Sequence, residues 1–168
     1  EINPVPEALP AGPLGLTNKK VLFFETHSHS RLATSEILEN WGMAVTSVTS
    51  IEQIQHIVAQ NKTFDYALIG YDISPTALKQ LKDIISTLKQ HVKYIHLAIN
   101  SNSPNLQEAL IAAGAKNCLS KPLTAEKLTK AFIPDLYQIE SQRTDNNNAK
   151  VPIKVLAVDD NDANLKLI

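Results

Sequence analysis

The residues able to do chemistry sit at the ends of short apolar runs. The run from Phe64 to Ile69 closes on Gly70, and turn-like residues follow at once (Tyr71-Asp72-Ile73-Ser74-Pro75). A run closed this way reads as a buried strand of a parallel sheet. In open α/β sheets, chemistry sits just outside the carboxyl ends of the strands. Gly70 therefore stands where a reactive side chain is expected, and it has none. His27 and His29 could approach a metal together, but an alternating His-Ser-His on a loop, with no third ligand nearby, reads as solvated. Cys118 lies in an apolar stretch, where cysteine behaves as a small hydrophobic residue.

The elements that position these residues follow one pattern. Lys20 to Thr26 is an apolar strand followed by a polar turn. Ala33, Ile37 and Trp41, with Leu38 beside them, share a helical face that stops at Gly42. Val45 to Val48 is a second strand. Ser50 with Gln53 resembles a capping box, opening a helix with Ile51, Ile54 and Val58 on one side. After the strand to Gly70, Pro75 suits a first helical turn, and Leu78, Leu81, Ile85 and Leu88 form a stripe. Tyr94 to Ile99 is a fourth strand. Leu106, Leu110 and Ala113 mark a helix ending at Gly114, and Asn117 to Ser120 is a short fifth strand. Thr124 caps a helix carrying Leu128 and Phe132, which Pro134 is expected to end or kink, although Leu136 and Ile139 suggest a further turn or two. Strict β-α alternation, five times over, predicts a parallel sheet with helices on both faces.

Composition narrows the function. Hydrophobic residues are 43% of the 168, enough for a real core. With 16 basic and 17 acidic residues the net charge is −1, which offers no electrostatic case for nucleic acid or an anionic membrane. One cysteine excludes an intrachain disulfide framework. No run approaches the ~18 apolar residues of a membrane span. Glu1 to Leu16 holds four prolines and two glycines and reads as a linker, assigned to residues 1–18. Starting at Glu1 without a Met, and ending inside an apolar pattern at Leu167-Ile168, the chain reads as a piece of a longer protein.

Its end repeats its beginning. Lys154-Val-Leu-Ala-Val-Asp-Asp aligns with Lys20-Val-Leu-Phe-Phe-Glu-Thr without a gap, so Asp159 falls against Glu25 and Asp160 against Thr26. VLAVDDNDANLKLI resembles the first strand and helix of a response-regulator receiver domain, and residues 19–133 are similar in layout, down to Lys121-Pro122 after the fifth strand. Two such units in tandem, the first degenerate, resemble hybrid sensor histidine kinases of the BarA/GacS type. The resemblance implies an α/β, flavodoxin-like (CheY-like) doubly wound sheet in the order 2-1-3-4-5. It implies a receiver-like domain over 19–142, a linker over 143–153, rich in asparagine, and the start of a second receiver over 154–168.

A working receiver transfers a phosphoryl group from phosphohistidine to an aspartate, with two acids holding Mg²⁺ and a lysine and a hydroxyl neutralising the phosphoryl oxygens. Matched residue by residue, the acceptor falls on Gly70 and the acid pair on Glu25 and Thr26. The hydroxyl falls on Ile99 (or Asn100, with a loop one residue different), and the aromatic switch on Cys118. Only Lys121 and Pro122 are kept. Lys121 is expected to pair with Glu25 across the sheet end. Asp159 and Asp160 would be the Mg²⁺ ligands of the second receiver, which is cut short here, and no metal site is expected in the complete domain. The strand VLAV, without its own sheet, is expected to stay disordered or to pair with an exposed edge.

The expectation is a non-catalytic regulatory and interaction module, without cofactor and not phosphorylated, in the cytoplasmic part of a bacterial inner-membrane kinase. Mg²⁺ and ATP are implied for the whole kinase alone. Its partners would be the kinase core, the second receiver or a second copy, through a face including Leu106, Gln107, Lys116, Lys127 and Lys130. Neither nucleic acid nor direct membrane contact is expected. The alternative is an atypical phosphoacceptor using Asp72 with Glu25 and Lys121. His56 lies on a helix of an α/β unit, unlike the histidine of a helical phosphotransfer bundle.

Overall fold

In a computed structural model, residues 12–74 and 76–144 are described. Five strands alternate with five helices. They are β1 (Lys20–Phe24), α1 (Ser28–Asn40), β2 (Ala44–Val48), α2 (Ile51–Ala59), β3 (Phe64–Tyr71), α3 (Ala77–Leu88), β4 (Val92–Ile99), α4 (Pro104–Ala113), β5 (Asn117–Ser120) and α5 (Ala125–Thr144). All strand pairs are parallel, and the sheet order is β2-β1-β3-β4-β5. This is the doubly wound, flavodoxin-like architecture expected from the sequence.

Successive residues of a strand face opposite sides of the sheet. Because both sides are covered, both sets are apolar. Leu22, Phe24, Ala67 and Ile69 face one core, closed by Ile54, Leu81, Ile85 and Leu110 from α2, α3 and α4. Val21, Phe23, Tyr66 and Leu68 face the other, closed by Leu38 of α1 and by Leu128 and Phe132 of α5. The Phe132 ring meets Tyr66 and His96 edge-on, at centroid distances of 4.8 and 4.9 Å, an arrangement favoured by the ring quadrupole.

Several expectations need correction. The buried face of α1 runs through Thr34 and Leu38 to Trp41, while Ala33 is exposed. This stripe has i, i+4, i+7 spacing, turned one position from the apolar one, and its first member carries a hydroxyl that gave no apolar signal. Helix α5 neither ends nor breaks at Pro134, but runs on to Thr144. The first residues of the polar stretch beginning at Glu140 are therefore helical. Leu16, at the end of the proline-rich segment, is fully buried in the second core. Pro75 and the whole of 145–168, including Asp159, Asp160 and the VLAV strand, lie outside the described residues.

The caps match their sequence signals. Ser50 accepts from the Gln53 N–H at 3.3 Å, and Gln53 Oε1 accepts from the Thr49 N–H at 2.7 Å, so the return bond of the capping box lands one residue early. Thr124 accepts from the Lys127 N–H at 3.3 Å. Gly42 follows α1 with φ +76°, a conformation that favours glycine. Among the described residues, no helix is long and apolar enough to cross a membrane.

Candidate functional site

The carboxyl ends of β1, β3 and β5 bring three charged side chains together. Glu25 follows β1 and is 1% exposed. Its N–H donates to the Val48 carbonyl at 3.2 Å, and its own carbonyl accepts from Arg31 Nη1 at 3.0 Å. These bonds aim the side chain across the sheet end. Lys121 follows β5, and its N–H donates to the Ile99 carbonyl at 3.0 Å. The Lys121-Pro122 peptide is cis.

Lys121 Nζ lies 3.0 Å from Glu25 Oε2 and 3.0 Å from Asp72 Oδ1. Glu25 Oε1 accepts the His27 N–H at 3.0 Å, and Asp72 Oδ2 lies 2.8 Å from His27 Nε2. Both oxygens of both carboxylates are thus engaged within the protein. The His27 bond, and then the Lys121 bond, hold the Asp72 carboxyl below its ordinary pKa, because both favour its charged form.

Gly70, the penultimate residue of β3, pairs with Ala98. A Cβ built there would meet Glu25 Oε2 and come within 3.1 Å of Glu25 Cδ and of the Phe24 carbonyl oxygen. The Glu25 carboxylate therefore occupies the space that a side chain at position 70 would enter. A cavity of about 430 Å³ opens beside it, lined by Thr26, Ser50, Glu52, Tyr71, Asp72 and others.

Residues 21–133 match the family model of the response regulator receiver domain. The chain belongs to this family. As a receiver domain it is similar to the sensor histidine kinase GacS of Pseudomonas protegens, at 27% identity over 96% of this chain. It spans 18% of the length of that kinase. Its fold is similar to a CheY-like response regulator receiver domain protein from Methanospirillum hungatei (TM-score 0.60, 19% identity, 75% of this chain and 99% of that one). It is also similar to a signal receiver domain of a histidine kinase from Clostridium thermocellum (TM-score 0.58, 16% identity, 70% and 96%).

Of the residues singled out in the sequence, the receiver domain brings Glu25, Asp72, Lys121 and the backbone of Gly70 together. Thr26 lines the adjacent cavity and is exposed. Ile99 is fully buried at the end of β4. Asn100 Oδ1 accepts from the Ile73 N–H at 2.7 Å, tying the β3–α3 loop to β4. Cys118 is half-buried, and desolvation raises its pKa. His29 is exposed beside Glu25 and Lys121, whereas His56 is exposed on α2, far along the chain from both. Among the described residues no three His, Cys, Asp or Glu side chains are grouped to hold a metal.

Two contacts were not foreseen. The His27 ring does not pair with His29 but bridges to Asp72. Lys127, a residue of the expected interaction face, donates from Nζ to the Ser120 and Pro122 carbonyls at 2.9 Å each, clamping the turn that carries Lys121. Its position in the first turn of α5, six residues after Lys121, is the only sequence signal for that role.

Proposed function

We propose that this receiver domain takes no phosphoryl group and serves as a regulatory and interaction unit within a hybrid sensor histidine kinase. The occupancy of the space beside Gly70 by the Glu25 carboxylate carries this reading. Aspartyl phosphorylation needs a carboxylate nucleophile with room for in-line attack and cations to neutralise the phosphoryl oxygens. Position 70 offers no oxygen, and the lysine is already held by two carboxylates.

The remaining donors do not fit Mg²⁺, which demands near-octahedral oxygen coordination. Glu25 is the one buried carboxylate at the site, and its two oxygens already bond to Lys121 and the His27 N–H. Thr26 stands where a second acid would be. The similarity to the sensor histidine kinase GacS, of which this chain spans 18%, supports placement among other domains of a larger kinase. The candidate contact face includes Leu106, Gln107 and the half-exposed Ile111 on α4.

One observation favours the alternative acceptor. Asp72 is half-exposed and shares Lys121 with Glu25. Titration of the ¹⁵N-labelled chain with Mg²⁺ and beryllofluoride, a mimic of the aspartyl phosphate, separates the two readings. An unchanged spectrum around Glu25, Gly70, Asp72 and Lys121 is expected. Saturable shifts there that vanish in Asp72→Asn would overturn the non-catalytic reading and establish Asp72 as the acceptor.

A further inference from the structure

We infer that the cleft between the carboxyl end of α3 and the start of β4 binds a multiply charged oxyanion of the phosphate class. It lies at the end of the sheet opposite Lys121 and has a volume of about 310 Å³. Eight residues line it, three of them lysines (Lys89, Lys93 and Lys116), and none is acidic. Among the described residues, neither Lys89 nor Lys93 forms an ion pair.

Helix ends explain part of this charge, since a cation near a helix carboxyl terminus is favoured. Lys89 is the C-cap of α3. Lys93 is the second residue of a strand, so that need does not place it there. Its Nζ lies 5.5 Å from the Tyr94 ring centroid, and Lys116 Nζ lies 5.9 Å from the same centroid. Both ammonium groups are thus within cation–π range of one ring that lines the cleft. Gly114 contributes by lacking a side chain. A Cβ there would meet Lys89 Cε and lie 2.8 Å from Lys89 Nζ, so the Lys89 stem lies where the glycine leaves room and brings its ammonium into the cleft.

An anion here would be held by flexible ammonium groups. The N–H groups of Lys89, Gly114, Ala115 and Lys116 already bond to Ile85, Ile111, Leu110 and Ile95. Exchange is therefore fast and binding salt-sensitive. The test is titration of the ¹⁵N-labelled chain with inorganic pyrophosphate in low-salt, Mg²⁺-free buffer. Saturable shifts at Lys93, Gly114 and Lys116 are expected. Lys89→Gln and Lys93→Gln should each weaken binding roughly five-fold, as expected for one unit charge at contact. Lys79→Gln, an exposed lysine near the opposite end of α3, should leave it unchanged. Lys89 and Lys93 are exposed, so the variants should melt with the parent. Absence of saturation, unchanged affinity in Lys89→Gln/Lys93→Gln, or an equal loss in Lys79→Gln would overturn the inference.

Discussion

Glu25 fills the space beside Gly70. The backbone at residue 70 is not in the left-handed region, so space rather than torsion governs this position. Gly70→Ala must push the Glu25 carboxylate away from Lys121, and the expected cost is about 1–3 kcal/mol, the usual penalty for overpacking. In a Glu25→Ala background the same change should cost less, the remainder being the tight approach to the Phe24 carbonyl oxygen, a coupling typical of residues in contact. Urea unfolding of the four proteins measures this coupling. Additive costs would show that Glu25 and residue 70 do not compete for space.

The Glu25–Lys121 pair is buried on one side and 18% exposed on the other. Removing one partner of a buried pair leaves an uncompensated charge, which costs about 3–5 kcal/mol in a dry site. Lys121→Met should fall at or below the lower end, about 2–3 kcal/mol, because Lys121 is partly exposed and the His27 N–H still bonds the carboxylate. Glu25→Gln/Lys121→Met removes both charges and should recover part of that loss. Chemical denaturation of the single and double variants tests this. A double variant less stable than Lys121→Met would contradict it.

The fold was legible because burial on both faces writes continuous apolar strands, and Gly42 and Gly114 punctuate the helices between them. The Glu25–Lys121 contact was legible as well, since two strand ends in a parallel sheet lie on one edge. Other features depend on three-dimensional packing. Thr34 faces the core because α1 docks one position away from its most apolar stripe. Pro134 is accommodated inside α5. The lack of a side chain at residue 70 could be read from the sequence, but not that Glu25 had taken its place. The His27–Asp72 bridge joins residues 45 apart, and neither carries a local sign of the other.

Asp72 couples the site to pH. Its folded pKa lies below the ordinary aspartate value of 3.8, chiefly through the His27 bond and then the Lys121 bond. A group with a depressed folded pKa contributes stability that is fully present above its unfolded pKa. That contribution is lost as pH falls through the lower folded value. The stability gap between the parent chain and Asp72→Asn should therefore be present above the ordinary aspartate value of 3.8 and close as pH falls below it through the lower folded value. With Asp72 half-exposed, the gap should be about 0.2–1 kcal/mol and shrink in high salt. Thermal unfolding of both proteins across this range checks the sign. A gap that stays undiminished well below the ordinary aspartate pKa would contradict the depressed folded value.

Leu16 makes the segment before β1 part of the domain. It is fully exposed in an unfolded chain and fully buried here, beside Val21, Leu38, Trp41 and Met43. The segment is further tied down by the Asn18 N–H, which donates to the Gly42 carbonyl at 2.7 Å. Leu16→Ala should cost about 2–4 kcal/mol, within the usual range for a buried leucine, because the well-packed strand and helix around it cannot fully collapse into the cavity. Leu14, which is 96% exposed, serves as the internal control, and Leu14→Ala should change stability by under ~0.5 kcal/mol. Truncation at residue 19 should reproduce most of the Leu16→Ala loss. Equal stabilities for the two leucine variants would show that the segment only links and does not pack.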